Sequence, residues 1–214
     1  MVEEFSLFTE SDRWELDRAI IDGFTVPLGD RYDDNTFFHY FHDYAGIAHK
    51  YIPKKIFEIG VRFGATAISM LLGLQAASET NGVIYRGCDD ESYDYDSSSK
   101  ANRNFQSVVP WANAKCLKHN SFSGLPEEVK SLAPFDLIHI DGNHDKHGVL
   151  NDIGICWPIL SNGGIIIFDD ATHPPIREAI NEFLARYQTD ASTLIRCQWW
   201  DNARGHCYLQ KIQI

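Results

Sequence analysis

Two short stretches of the sequence end apolar runs in groups that could bind a metal ion or move a proton. The stretch FDLIHIDGNHDKHG, residues 135–148, passes from strand-like residues into Asp141 and His144, and GGIIIFDD ends in Asp169 and Asp170. Three carboxylates with no cysteine nearby make a hard oxygen site of the kind that Mg²⁺ prefers. His144, three residues after Asp141, could take a proton near neutral pH. These residue types favour metal-assisted removal of a proton.

Structural roles for the same residues stay open. Asp141 could be a strand-end carboxylate that hydrogen bonds to backbone, and His144 could be a loop residue or a secondary metal contact. Capping of the next helix would explain Asp169 or Asp170 but rarely both, because adjacent carboxylates repel unless a cation or a proton lies between them. His139 and Asp141 also fit half of a ferrous oxygenase motif, but that motif belongs on an all-β scaffold. We therefore expect His139 to be a core or interface histidine.

Strands and helices are predicted to alternate from residue 54 onward. The predicted strands are KKIFEIG, GVIYRGCDD, AKCLKHN, FDLIHID and GGIIIFDD. Segments typical of helices follow the first, the fourth and the fifth, and a polar segment that should end as a helix follows the second. This order predicts a mostly parallel sheet with helices on both faces. The last two runs, STLIRCQWW and GHCYLQKIQI, flank the turn signal DNARG and predict an antiparallel hairpin at one edge. We expect an α/β fold with about seven strands.

The carboxyl ends of these strands are the predicted site, because ligands of open parallel sheets bind outside those ends. In the first loop, Gly60 and Gly64 would let the backbone approach a ligand closely, and the helix that follows would offer NH groups to an anion. The GxxxG spacing lacks a dinucleotide fingerprint, so simple turn geometry explains it equally well. Asp89 or Asp90, after the second strand, could accept hydrogen bonds from ribose hydroxyls or belong to an acidic capping loop.

Several of these motifs together resemble a known family. They are KIFEIGVRFGATAISMLL, the acid after the second strand, FDLIHIDGNHDKHGVLNDI and LSNGGIIIFDD. The combination looks like a Rossmann-like class I S-adenosylmethionine-dependent methyltransferase. More narrowly, it resembles the metal-dependent small-molecule O-methyltransferases that include macrolide-sugar O-methyltransferases and cephalosporin hydroxylase-like proteins. The resemblance runs from about residue 54 to residue 185, and the family would also end in a hairpin.

The resemblance implies a role for each matching residue. The methionine part of S-adenosylmethionine would be held by Glu58, Gly60 and the backbone of Val61, Arg62 and Gly64, with Thr66 near its carboxylate. Asp89 would bind the ribose, and Asn120 and Ser121 would flank the adenine. A divalent cation, Mg²⁺ or another, would be held by Asp141, Asp169 and Asp170, with His144 as general base. The family often has Glu or Asn within the pair after the fifth strand, so Asp169 and Asp170 leave the ligand geometry open.

The amino-acid composition limits the kinds of partner that the protein is expected to bind. The 214 residues carry a formal charge of −11, from 19 Lys and Arg against 30 Asp and Glu, which opposes binding to nucleic acid or anionic lipid. No apolar run approaches the roughly 20 residues that span a bilayer, so we expect a soluble cytoplasmic protein. The five cysteines never form a CxxC motif, and we expect them to be small core residues.

The predicted function is metal-dependent O-methylation of a hydroxyl on a small metabolite such as a sugar, a natural product or a catechol-like compound. Residues 1–50 are expected to form a helical cap segment, with helices over residues 10–24 and 35–51, and residues 51–214 the methyltransferase core. Aromatic residues of the cap could pack on the core or on a second copy, so a homo-oligomer stays open. Two alternatives also remain: transfer of another group such as aminopropyl, and a catalytically silent binding module of the same fold.

Overall fold

The computed structural model describes residues 1–16, 35–187, 191–200 and 205–214, with backbone alone for residues 35–39. The described residues contain these strands: β1 (Val2–Glu4), β2 (Lys55–Ile59), β3 (Ile84–Asp89), β4 (Asn113–Lys118), β5 (Phe135–Ile140), β6 (Leu160–Phe168), β7 (Thr193–Trp200) and β8 (His206–Gln213). They also contain these α-helices: α1 (Asn35–Tyr51), α2 (Ala65–Ala76), α3 (Ser97–Val108), α4 (Glu127–Leu132), α5 (Lys146–Cys156) and α6 (Pro174–Tyr187). The elements fall into two compact units.

The six-strand unit consists of Met1–Leu7, Lys55–Gly60 and His119–Ile214. Its strand order is β1-β7-β8-β6-β5-β2. Strands β2, β5 and β6 are parallel, as predicted, and β8 runs antiparallel to β6 and β7. The predicted C-terminal hairpin is therefore confirmed, and its turn lies outside the described residues.

Strand β1 corrects the expected strand count. The described residues form eight strands rather than about seven, because Val2–Glu4 pairs in parallel with β7. Only three residues long and largely acidic, this segment carries no apolar pattern of its own. Main-chain pairing with β7, continued by a hydrogen bond from Phe5 N–H to Cys197 O, holds it in place. Helix α4, which begins after Pro126, is likewise an element that the sequence patterns did not predict.

The two-strand unit consists of Phe8–Lys54 and Val61–Lys118. Its parallel strands β3 and β4 are accompanied by α3, and α1 packs against α2. Gly73 makes the α1–α2 contact close, since a Cβ there would lie 2.1 Å from the carbonyl oxygen of Ala45. Helix α1 matches the predicted helix over residues 35–51.

The helix predicted over residues 10–24 is wrong in its described part. Glu10–Asp12 forms a single 3₁₀ turn, and residues 13–16 are not helical. Contacts with α1 explain the difference: Arg13 Nε bonds to Asp43 Oδ1 at 2.5 Å, and Trp14 N–H donates to His42 O. These tertiary contacts outweigh a weak local helix preference. Residues 17–24 of that prediction lie outside the described residues.

Two smaller expectations concern the cysteines and the membrane. All five cysteines are buried and free, as the sequence predicts. Among the helices that the structure describes, none is both long and apolar enough to cross a membrane.

Candidate active site

Strand register in the six-strand unit brings polar residues of four strands to one edge. His139 on β5 is the register partner of Glu58 on β2, and Asp141 continues that pairing by donating its N–H to Ile59 O at 2.9 Å. Asp169 N–H donates to Ile140 O at 3.2 Å, which sets Asp169 beside the end of β5. We call the resulting set the strand-end cluster: Glu58, His139, Asp141, His144, Asp169, Asp170 and His206.

The outer half of the strand-end cluster is accessible to solvent. His144 Nε2 lies 3.2 Å from Asp141 Oδ1, and its Nδ1 lies 3.6 Å from Asp170 Oδ2. The side chains of His144, Asp141 and Asp170 are 44%, 26% and 20% exposed. The hydrogen bond that His144 makes to Asp141, with the nearby carboxylates, raises the pKa of His144 against the effect of partial burial. One ligand atom from each of these three residues lies within 4.8 Å of the others, so they could share one cation.

The inner half of the cluster is buried. His139 Nδ1 lies 3.0 Å from Glu58 Oε1, with both side chains almost fully enclosed, and His206 Nε2 lies 3.7 Å from Asp169 Oδ1. Burial alone would lower the pKa of His139, but the hydrogen bond and charge of Glu58 and the charges of Asp141 and Asp169 raise it. His139 is a core histidine, as expected, yet its neighbours are acids of the predicted site.

The backbone conformation at Asp169 and Asp170 places their two carboxylates in different halves of the strand-end cluster. Asp170 has a left-handed φ of 48°, and its N–H donates to Asp169 Oδ1 at 2.6 Å. Asp169 is consequently buried, whereas Asp170 is partly exposed beside His144. The two adjacent carboxylates therefore have different environments within one cluster.

Gly60 controls how closely β2 approaches β5 at this edge. Its φ is +85°, and a Cβ at this position would lie 1.9 Å from the carbonyl oxygen of Asp141. Any larger residue would collide with the backbone of Asp141, so the glycine is required by both conformation and space.

The two-strand unit holds Asp89 in a fixed orientation. Asp89 Oδ2 accepts from Arg62 N–H at 2.7 Å, and its Oδ1 accepts from Glu91 N–H at 2.9 Å and Ser97 Oγ at 2.7 Å. Arg62 in turn bonds through Nε to Asp94 Oδ2 at 2.6 Å. This carboxylate is thus oriented by the loop that follows β2 and by the start of α3.

The start of α2 lies in the same unit. Gly64 has a φ of +86° and precedes the helix, and its N–H donates to Val61 O at 2.9 Å. Thr66 lies in the first helical turn. The unpaired N–H groups of such a turn suit an anionic group, as the sequence predicts.

Asn120 and Ser121 lie after β4, in the six-strand unit. Asn120 Oδ1 accepts from Phe122 N–H at 2.9 Å, and Ser121 O accepts from Asn151 Nδ2 at 3.3 Å on α5. These hydrogen bonds tie the segment after β4 to α5. Next to Asn151, Asp152 is fully buried, and burial raises its pKa despite hydrogen bonds from Ser121 and Asn151.

The structure thus brings together Asp141, His144, Asp169 and Asp170, which the sequence singled out for metal and base roles. It adds two residues that the sequence analysis left out of the site, His139 and His206. For His139 a signal existed, because residues two apart on a strand share a face and Asp141 follows at that spacing. His206 carried no such signal, because only pairing of β8 with β6 places it beside Asp169.

Parallel strands with intervening helices, an antiparallel C-terminal hairpin and polar strand ends define a Rossmann-like class I methyltransferase fold. A family model described as a methyltransferase domain matches residues 57–171, which is more than half of the chain. The chain belongs to this methyltransferase-domain family.

Solved structures share the fold at low sequence identity. The SAH-bound methyltransferase PaMTH1 of Podospora anserina is 17% identical with a TM-score of 0.67, covering 94% of this chain and 90% of that one. An O-methyltransferase of Bacillus cereus in complex with SAH is 13% identical with a TM-score of 0.66, covering 95% and 94%. The O-methyltransferase TomG of Streptomyces achromogenes, involved in tomaymycin synthesis and bound to SAM, is 12% identical with a TM-score of 0.61, covering 93% and 91%.

One curated protein is similar over a shorter stretch. Uncharacterized protein R132 of Acanthamoeba polyphaga mimivirus is 28% identical over 83 residues. The matched stretch covers 36% of this chain and 38% of the viral protein.

Proposed function

We propose that this protein transfers the methyl group of S-adenosylmethionine to a hydroxyl of a small metabolite, with a divalent cation bound at the strand-end cluster. Family membership and fold neighbours solved with SAH or SAM support the cofactor. The observation that carries the proposal is the meeting of Asp141 and Asp170 with His144 at an accessible sheet edge, where the His144 ring nitrogens lie 3.2 Å from Asp141 Oδ1 and 3.6 Å from Asp170 Oδ2.

The donor set fits a divalent cation. Asp141, Asp169 and Asp170 offer carboxylate oxygens, the ligands that hard cations prefer. Adjacent carboxylates at one edge repel each other, and a cation offsets that repulsion. When bound, such a cation lowers the pKa of an acceptor hydroxyl and orients it.

In this proposal His144 takes the proton from the acceptor hydroxyl. Its ring nitrogens lie 3.2 Å from Asp141 and 3.6 Å from Asp170, so the imidazolium that forms is stabilised by both carboxylates. Partial exposure of His144 would let the proton pass to solvent afterwards. Since the sulfonium supplies the leaving group, positioning is the main task left to the chain.

Roles toward the cofactor follow the family resemblance and local geometry. Asp89 is assigned to the ribose, because three donors orient its carboxylate. The start of α2, with Thr66, is assigned to the methionine carboxylate. The remaining assignments are the methionine part for Glu58, Gly60, Val61, Arg62 and Gly64, and the adenine for Asn120 and Ser121.

Calorimetry with S-adenosylmethionine, followed by transfer assays with labelled cofactor, tests the proposal. We expect cofactor binding, and label transfer to at least one member of a panel of sugars, catechols and hydroxylated natural products, lost with chelator and restored by Mg²⁺ or Mn²⁺. Glu127→Gln, on a side chain 88% exposed in α4, is the control and should behave as wild type. Absence of cofactor binding would overturn the whole proposal, and chelator-resistant transfer would overturn its metal part.

Asp89→Asn is expected to weaken S-adenosylmethionine binding about 10-fold or more, since a hydrogen bond to a charged acceptor contributes roughly 1.5–3 kcal/mol. The asparagine keeps an acceptor oxygen, so local folding should survive. Asp90→Asn is the matched control. Asp90 Oδ1 accepts from the N–H of Ser92, two residues later, just as Asp89 Oδ1 accepts from the N–H of Glu91. Calorimetric dissociation constants check this, and equal affinities for the two variants would contradict the ribose assignment.

A further inference from the structure

We propose that His139 is a nitrogen ligand of the cation site, held in place by Glu58, and that the site therefore prefers a first-row transition metal over Mg²⁺. This inference rests on the cation site of the proposed function and adds the class of metal and the role of two buried residues. Neither His139 nor Glu58 was assigned to the metal by the sequence patterns.

Strand geometry places the imidazole beside the carboxylates. His139 and Asp141 are two residues apart, and the pairing of Asp141 N–H with Ile59 O continues the strand through both, so they share a face. Asp169 lies beside this strand end through its hydrogen bond to Ile140 O. One ligand atom from each of His139, Asp141 and Asp169 lies within 4.8 Å of the others. Two ligand atoms that bind the same cation lie up to about 4.4 Å apart. Only small movements of these three side chains would therefore be needed for one cation to bind all of them.

Glu58 gives His139 the orientation of a metal-binding histidine. Histidines that bind metals commonly offer one ring nitrogen to the ion and donate from the other to a carboxylate, which fixes the ring. Glu58 Oε1 lies 3.0 Å from His139 Nδ1, and both side chains are almost fully buried. Nε2 is then the nitrogen that a cation would use. Asp169 has a comparable neighbour in His206, 3.7 Å away.

A cation would add to the pairing of charges in the buried half of the cluster. Glu58 and Asp169 are 1% and 2% exposed, so their charges are poorly hydrated. Buried charges are costly unless paired or bound to a metal. A divalent ion bound to His139, Asp141 and Asp169 would offset two negative charges, with the imidazole as a neutral ligand.

A nitrogen ligand changes which metal fits. Mg²⁺ prefers oxygen ligands in near-ideal octahedral geometry, whereas imidazole suits Fe²⁺, Ni²⁺, Cu²⁺ and Zn²⁺. One imidazole with two carboxylates therefore favours a first-row transition metal. We expect the protein to bind Zn²⁺ at least about 100-fold more tightly than Mg²⁺.

Pulsed electron paramagnetic resonance of the Mn²⁺-loaded full chain tests the ligand. Coupling to an imidazole ¹⁴N is expected, and it should persist in His144→Gln, which removes the outer imidazole. It should disappear when His139→Gln is added to that variant. His119→Gln, which lies outside the cluster and bonds to Gly124 O, is the control and should keep the coupling. Loss of the coupling in His144→Gln alone would overturn the assignment to His139.

Glu58→Gln tests the same inference without removing the buried ring. The coupling should persist while the Mn²⁺ dissociation constant rises about 10–100-fold. Unchanged affinity would overturn the role of Glu58. Mn²⁺ bound through oxygen alone, or displaced by equimolar Mg²⁺, would overturn this inference and leave chelator-sensitive methylation standing. Failure to bind any divalent cation would overturn both this inference and the metal part of the proposed function. The cofactor part is tested separately, by calorimetric binding of S-adenosylmethionine.

Discussion

Asp141→Asn is expected to lower cation-stimulated methyl transfer by at least about 100-fold, the largest loss of activity from any single substitution in the cluster. Asp141 belongs to both groups of potential cation ligands, and it also contacts His144 at 3.2 Å. The substitution therefore removes a charged cation ligand and the acceptor that raises the pKa of the proposed base. Binding of S-adenosylmethionine should persist, because the cofactor assignments involve other residues.

Initial transfer rates over a range of Mn²⁺ and Mg²⁺ concentrations measure this effect, with calorimetry for the cation and the cofactor separately. Asp136→Asn is the matched control, because it changes the same residue type at the opposite end of β5. Asp136 Oδ2 accepts from Lys55 N–H at 2.9 Å, a bond that asparagine can keep. If the Asp141→Asn variant transferred methyl groups as fast as the Asp136→Asn variant, the strand-end cluster would not be the catalytic site.

The sequence predicted Asp141, His144, Asp169 and Asp170 of the strand-end cluster because their signal is local. Apolar runs that end in carboxylates identify strand ends, and strand and helix alternation predicts that those ends lie at one edge. Asp141, Asp169 and Asp170 needed only that rule. The predicted parallel strands and the C-terminal hairpin are confirmed for the same reason.

The contacts of the inner half could not be predicted because they depend on register between distant strands. Glu58 and His139 are 81 residues apart, and their 3.0 Å contact follows from pairing of β2 with β5. The family resemblance assigned Glu58 to the cofactor, and in the structure Glu58 Oε1 lies beside His139 Nδ1. His206 reaches Asp169 only because β8 pairs with β6. The spacing of His139 and Asp141 places both on one face of β5, but nothing in the sequence shows that Glu58 lies beside His139.

Contacts between residues that are far apart in the chain also decide the structure of the N-terminal region. Helical spacing in residues 10–24 suggested a helix, but Arg13 and Trp14 bond to α1 instead. Strand β1 forms by pairing with β7, although its three residues have little strand pattern. Local preference is weak in both segments, and contacts with residues far along the chain decide their structure.

Gly60→Ala is expected to cause the largest loss of stability, lowering the free energy of unfolding by more than about 3 kcal/mol. A left-handed conformation costs a residue with a Cβ about 1–2 kcal/mol. Forced overlap in a packed region adds about 1–3 kcal/mol, and the overlap here is severe, with the Cβ 1.9 Å from Asp141 O. Since the collision is with backbone, relief requires β2 and the end of β5 to move apart. Cation affinity should therefore fall as well.

Gly82→Ala separates the two causes. Gly82 also has a positive φ, +70° against +85° for Gly60, but a Cβ there would meet nothing within 4 Å. It should therefore show the conformational cost alone, about 1–2 kcal/mol, with unchanged cation affinity. Denaturant unfolding curves and Mn²⁺ titrations of both variants make the comparison. Equal losses of stability would mean that glycine is needed at position 60 because of its backbone conformation and not because of the contact with Asp141. The close approach of β2 would then not set the position of Asp141.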